Sequence, residues 1–153
     1  VVWITAEASR EAIESKGHVL EVDVPDDLPP LWLDREAISQ VLINLISNAA
    51  KYGDEGGWVR VKVRVGIDGI DLMVSDRGVG IALEEQDKIF EHFFRSSDPN
   101  VRKKKGTGIG LTIVRYIVEA HGGAITVDSA PKQGSTFTIT FPIEPPEGYG
   151  ATD

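Results

Sequence analysis

Residues 34–65 read DREAISQVLINLISNAAKYGDEGGWVRVKVRV, and the hydrophobic period changes once inside this stretch. Up to about Tyr52 the apolar residues Ile38, Val41, Leu42, Leu45, Ile46 and Ala49 recur every three or four positions. Such spacing lines one face of a helix, which turns about every 3.6 residues. Asp34 is the expected N-cap, because its carboxylate can accept from the N–H groups left open at a helix start. After the glycine-containing segment 53–57 the period falls to two. Val59, Val61, Val63 and Val65 alternate with Arg60, Lys62 and Arg64, the pattern of a strand with one buried face. A long amphipathic helix followed directly by a half-buried strand points to an α+β domain.

The flanking sequence extends this reading in both directions. Residues 3–15 form a short helix stopped by Lys16-Gly17, and Val19, Leu20, Val22 and Val24 form a strand closed by a proline-rich stretch, 25–30. Gly66–Gly69 makes a turn, with Ile70, Leu72 and Val74 as the hairpin partner of the valine strand. A helix runs from about Gly108 to Ala120, with Ile109, Ile113, Val114, Ile117 and Val118 on its apolar face. His121-Gly122-Gly123 ends it as a glycine C-cap. Two strands follow, Ala124–Ser129 and Ser135–Phe141, the second alternating Phe137, Ile139 and Phe141 with threonines. The expected order is α-β-α-β-β-(long loop)-α-β-β. That is an α+β order, with helices gathered on one face of a largely antiparallel sheet. Residues 1–143 are read as one domain and 144–153 as a flexible tail.

Composition narrows the function. At 153 residues, 41% hydrophobic and 26% charged, the chain can build one real core. Its net charge of −8 argues against a nucleic-acid partner, whose phosphates call for a basic face. The absence of cysteine excludes disulfides and thiolate metal sites. No apolar run reaches membrane-spanning length, and Glu7, Arg10, Glu11 and Glu14 break any signal-peptide pattern, so a cytoplasmic domain is expected. Because the chain opens on Val1, it is read as a piece of a longer protein.

Gln40, Asn44, Asn48 and Lys51 lie on one stripe of the long helix. One reading is a solvent-facing polar stripe. The other is a metal and phosphate face: asparagine is a poor helix former unless its amide has work, and its oxygen is a hard Mg²⁺ ligand. Lys51, a turn further on, would then meet a phosphate as a point charge.

The segment 77–107 is long, irregular and rich in glycine and charge, with Phe90, Phe93 and Phe94 in its middle. At its start Asp76-Arg77-Gly78-Val79-Gly80-Ile81 is either an ordinary turn or a site where a carboxylate accepts from an exocyclic amine. In the second case the glycines let a flat ring approach the backbone. At its end Gly106-Thr107-Gly108-Ile109-Gly110-Leu111 opens a helix and can present N–H groups to anionic oxygens; a flexible hinge is the other reading. Its G-x-G-x-G spacing is not the dinucleotide fingerprint, and no P-loop occurs. The basic run Arg102-Lys103-Lys104-Lys105 either stays solvated or helps to steer a polyphosphate.

In order, the chain carries Asn44-Leu45-Ile46-Ser47-Asn48-Ala49-Ala50-Lys51-Tyr52, Asp76-Arg77-Gly78-Val79-Gly80, Ile89-Phe90-Glu91-His92-Phe93-Phe94-Arg95, Gly106–Leu111, and Gly134-Ser135-Thr136-Phe137. This succession, over roughly residues 3–143, resembles the N, G1, F, G2 and G3 boxes of the catalytic and ATP-binding domain of sensor histidine kinases. The resemblance implies a two-layer α/β sandwich of the GHKL (Bergerat) type, a mixed, mostly antiparallel sheet of about five strands covered by three helices, holding ATP and Mg²⁺ under a mobile lid, about residues 82–107. It implies that Asn48 and Asn44 hold the metal, and that Lys51 and Arg95 meet phosphate. Asn44, Lys51 and Arg95 would carry the catalytic charge stabilisation. Tyr52 would pack near the adenine, and Asp76 would accept from its amino group beside Gly78, Gly80 and Ile81. Gly106, Thr107, Gly108, Ile109, Gly110 and Leu111 would shape the phosphate cradle, and Thr136 would stand on the adenine side. The aromatic trio would anchor the lid by packing, with Phe94 counted among the residues around the nucleotide.

The activity so implied is transfer of the γ-phosphoryl group to a histidine on a separate dimerisation and phosphoacceptor domain. That domain is the expected direct partner, and a response regulator the indirect one. His18, His92 and His121 all lack the acceptor's sequence context. The fragment is thus expected to be monomeric and weak in autophosphorylation alone, within a homodimeric parent that has room for a membrane anchor. Related ATPases carry a glutamate where this chain has Asn44, which cannot serve as a general base, so kinase ranks above ATPase. A degenerate nucleotide-binding module is the alternative from another class.

Overall fold

The computed structural model describes residues 2–26, 28, 33–52, 57–67, 69–86, 88–90 and 110–142, with the Tyr52 side chain outside that set. In chain order the elements are α1 (Val2–Ser15), β1 (Val19–Asp23), α2 (Arg35–Tyr52), β2 (Trp58–Val65) and β3 (Gly69–Asp76). They continue with a single-turn α3 (Leu83–Gln86), α4 (Gly110–Ala120), β4 (Ala124–Ser129) and β5 (Ser135–Pro142). The strands form one sheet in the order β1-β2-β3-β5-β4. β1 runs parallel to β2, and the other pairs are antiparallel.

The α+β expectation holds, and the caps explain where the helices stop and start. Asp34 Oδ1 accepts from the Ala37 N–H at 3.0 Å, as an N-cap should. Gly17 and Gly122 take positive φ of 86° and 75° just past α1 and α4. Their N–H groups return to Glu14 and Glu119, while those of His18 and Gly123 return to Ile13 and Val118. This is the Schellman arrangement, which satisfies carbonyls the helix end would otherwise leave open. His121 joins the end of α4 to the start of α2: its Nδ1 lies 2.7 Å from the Ile117 carbonyl and its Nε2 accepts from Asp34 N–H.

One face of the sheet is covered. Val41, Leu42, Leu45 and Ile46 of α2 are at most 1% exposed and pack over Val59, Val61, Leu72 and Val74. Each such aliphatic side chain contributes about 1.5–3 kcal/mol by leaving water. α1 and α4 flank α2, with Ala6, Ile13, Val114 and Val118 buried. Arg10 pins α1 to β1 by donating to the Leu20 carbonyl at 2.9 Å, while Glu7 and Glu14 hold its guanidinium charge far above the ordinary range.

Two patterning expectations need correction. Val65 is 48% exposed, at the end of β2 beyond Lys62, where the pairing with β1 stops. Ile113 is 41% exposed, and the buried stripe of α4 is carried by Val114 and Val118, with Leu111 and Ile117 half-buried beside them. The single-turn α3 adds to the expected order, and the parallel β1–β2 pair makes the sheet mixed, as expected. The expected tail, 144–153, and most of the expected lid, residues 87 and 91–107, lie outside the described residues.

Candidate functional site

Antiparallel register brings the motif residues to one end of the sheet. Asp76 closes β3 opposite Val59 of β2 and Ser135 of β5. Val59 is fully buried on the helical side, so Asp76, 9% exposed, turns its carboxylate under the helices as well. Its Oδ1 accepts from the Gly78 N–H at 2.8 Å, which fixes the carboxylate against its own loop.

That loop is fastened to the turn before β5. Gly134 N–H donates to the Gly78 carbonyl at 3.1 Å and Lys132 N–H to the Val79 carbonyl at 2.6 Å. Ile81 N–H donates to Ser129 Oγ at 2.8 Å, and Gln86 Nε2 reaches the carbonyls of Ile81 and Ser129. Gly80 and Gly134 sit at φ of 72° and 77°. A Cβ on Gly80 would overlap the Ala130 carbonyl, and one on Gly134 would overlap that of Asp76. Only glycine allows the two turns to close on each other.

Five residues, 53–57, join Tyr52 to Trp58, a reach of about 20 Å at most. Trp58 begins the strand whose second residue faces Asp76, so a five-residue link ties the C-terminal end of α2 to the strand end that pairs with Asp76. Asn44, Asn48 and Lys51 are half-buried, in contrast to exposed Gln40 and Ser47. Gln40 Nε2 donates to Asn44 Oδ1 at 3.0 Å, which orients that amide while leaving its oxygen a second lone pair.

Thr136 is not where the resemblance put it. It pairs in register with Ser75, and the two hydroxyls lie 2.9 Å apart on the sheet face away from Asp76. The residue on the Asp76 side is buried Ser135, bonded to Ser129 Oγ at 2.7 Å. Strand alternation held the signal: Phe137 points into the core, so Ser135 does too. The roles of Ser129 and Gln86 as fasteners carried no comparable signal. Ile81 and Leu111 are half-buried and pack against the core, and Gly110 begins α4. Phe90 is also a packing residue, edge-on to Phe137 at 6.4 Å, with its carbonyl held by Thr112 Oγ1. Phe94, Arg95, Gly106, Thr107, Gly108, Ile109 and the Tyr52 side chain lie outside the described residues.

A buried carboxylate over paired glycine turns, beside an asparagine-bearing helix, marks a nucleotide-binding α/β sandwich. The family model for histidine kinase-, DNA gyrase B-, and HSP90-like ATPases matches residues 33–145, and the chain belongs to this family. ATP is therefore the ligand class of the domain. The adaptive-response sensory kinase SasA of Rippkaea orientalis is 40% identical over 135 residues, 88% of this chain and 34% of that protein. The chain thus spans about a third of the length of the curated relatives it matches. The structure of the mycobacterial sensor histidine kinase MprB is 31% identical, with a TM-score of 0.78 over 94% of this chain and 96% of that one. Histidine kinase ThkA in complex with the response regulator protein TrrA is 26% identical, with a TM-score of 0.77 over 95% of this chain and 40% of that one.

Proposed function

We propose that this chain is the catalytic domain of a two-component sensor histidine kinase. In this reading it binds ATP with Mg²⁺ and donates the γ-phosphoryl group to a histidine on a separate dimerisation and phosphoacceptor domain. The observation that carries the reading is Asp76: a buried carboxylate, oriented by Gly78, at a loop end that only glycines can close. Such a carboxylate suits an exocyclic amine donor, and the absence of a side chain at Gly78 suits a flat ring beside it. Asn44 and Asn48 offer neutral hard oxygens, which suit Mg²⁺ because it keeps phosphate and water for most of its shell.

Bound Mg²⁺ supplies charge neutralisation on the β- and γ-phosphates during transfer. The residues of the chain do the rest. Asn48 and Asn44 hold the metal, Lys51 and Arg95 place positive charge beside the phosphates, and Asp76 orients the base. Gly106, Gly108 and Gly110 shape the phosphate side. Ser135, in place of Thr136, borders the base beside Asp76. The domain spans 1–143, with 82–107 as its lid and 144–153 as a tail.

The acceptor comes from elsewhere. His18 is 6% exposed, and both ring nitrogens of His121 are engaged, while His92 lies outside the described residues. By the same reading the parent is a homodimer through its acceptor domain and hands phosphate on to a response regulator. The ThkA–TrrA complex supports that partnership. Among the described residues no helix is long and apolar enough to cross a membrane.

The test supplies a separate phosphoacceptor domain and γ-labelled ATP to the purified chain. Label should appear on the acceptor histidine and vanish with Asn48→Ala. Nucleotide binding without any transfer would favour a binding module, and rapid hydrolysis abolished by Asn44→Ala would favour an ATPase.

A further inference from the structure

Side chains alternate along β3, so Arg77 leaves the sheet on the face opposite Asp76. There its guanidinium lies 4.3 Å from the centroid of the Trp58 ring. We propose that this stack is a positioning clamp that sets the height of the Asp76 carboxylate and so tunes recognition of the adenine amino group. The inference rests on the nucleotide reading above.

The geometry explains why a clamp is needed. Val59 and Asp76 form the last register pair between β2 and β3, and the chain then turns through Gly78 and Gly80. On the β5 side this turn is held by backbone bonds from Gly134 and Lys132 and by Ser129. Toward β2 it meets the Trp58 ring through Arg77. Trp58 is itself a fixed platform: it pairs with Val19 of β1, whose N–H also bonds the Gly57 carbonyl at 2.9 Å. A glycine turn held on one side can pivot about those bonds. A second hold on the neighbouring strand removes that freedom, and the carboxylate one residue upstream keeps its place. Arg77 cannot reach a base at Asp76 from the opposite face, so its part is positioning.

The stack also suits clean substitution. Arg77 is exposed, so truncating it removes little packing. The buried Trp58 indole N–H meets no acceptor among the described residues, so Trp58→Phe breaks no hydrogen bond to them while keeping a π face.

The experiment compares a non-hydrolysable ATP analogue with its inosine counterpart, which has an oxo group in place of the amine, by calorimetry on the whole chain. Arg77→Ala and Trp58→Leu should each weaken the ATP analogue about two- to five-fold, the size of one partly exposed cation–π contact. Inosine affinity should be unchanged. The double variant should bind no worse than either single one, and Trp58→Phe should stay near wild type. Unchanged ATP-analogue affinity in Arg77→Ala, or equal loss for both bases, would overturn the clamp while leaving the nucleotide site intact. Failure of the wild-type chain to bind either nucleotide would overturn the underlying reading as well.

Discussion

Gly134 donates its N–H to the Gly78 carbonyl across 3.1 Å, tying the turn before β5 to the turn after β3. These turns are far apart in sequence and meet only because β3 and β5 are neighbours in the sheet. The bond stands two residues from Asp76, so strand pairing and site geometry are here one structural fact.

Gly134→Ala should therefore be costly twice over. At φ of 77° an alanine is strained, and its Cβ would overlap the Asp76 carbonyl. A loss of about 2 kcal/mol in stability is expected, measured by chemical denaturation. Nucleotide affinity should fall as well, because the atom displaced belongs to the carboxylate's own residue.

Thr136 and Ser135 separate the two faces of β5. Thr136→Val breaks only the bond to Ser75, so ATP-analogue affinity should stay within about two-fold of wild type. Ser135→Ala removes a buried hydroxyl beside Asp76 and should weaken binding by about five-fold or more, read by calorimetry.

Asn48→Ala should act through the metal. With Mg²⁺ present, analogue affinity is expected to drop about ten-fold or more, while the value in EDTA stays where it was. Equal losses in both conditions would assign Asn48 a packing role.

Asp71 gives a pH-dependent handle away from the site. The Arg64 guanidinium 2.7 Å away, with the Thr140 hydroxyl, holds its carboxyl below the ordinary range. A depressed carboxylate contributes stability above its unfolded value of about 3.9, and that contribution disappears as pH falls through the lower folded value. Asp71→Asn should thus cost about 0.5–1 kcal/mol at neutral pH. Urea titrations of the two proteins should converge well below pH 4.

Much of this was legible in the sequence, for physical reasons. The valines of β2 and the apolar face of α2 repeat with periods that only one kind of element can satisfy. The cap at Asp34 and the glycine stop at Gly122 are local chemistry, visible without the fold. Asp76 and the glycine turns were legible as a motif, but the fastening of one turn to the other was not. It depends on β3 lying beside β5, which no local pattern encodes. Thr136 differs for another reason: the motif is a string of residues, whereas the alternation of Phe137, Ile139 and Phe141, extended one step back, turns Ser135 toward Asp76 and Thr136 away from it. The exposure of Ile113 shows the limit of periodicity, since an apolar face wider than its neighbours leaves residues at its margin uncovered.

The central claim is a nucleotide site organised by Asp76. Its most direct test is calorimetric titration of a non-hydrolysable ATP analogue into wild-type chain and Asp76→Asn, with Mg²⁺ and with EDTA. The account predicts one saturable site in the wild type, weaker without metal, and largely lost in Asp76→Asn at unchanged folding. Equal binding by both folded proteins, or none by the wild type, would contradict it.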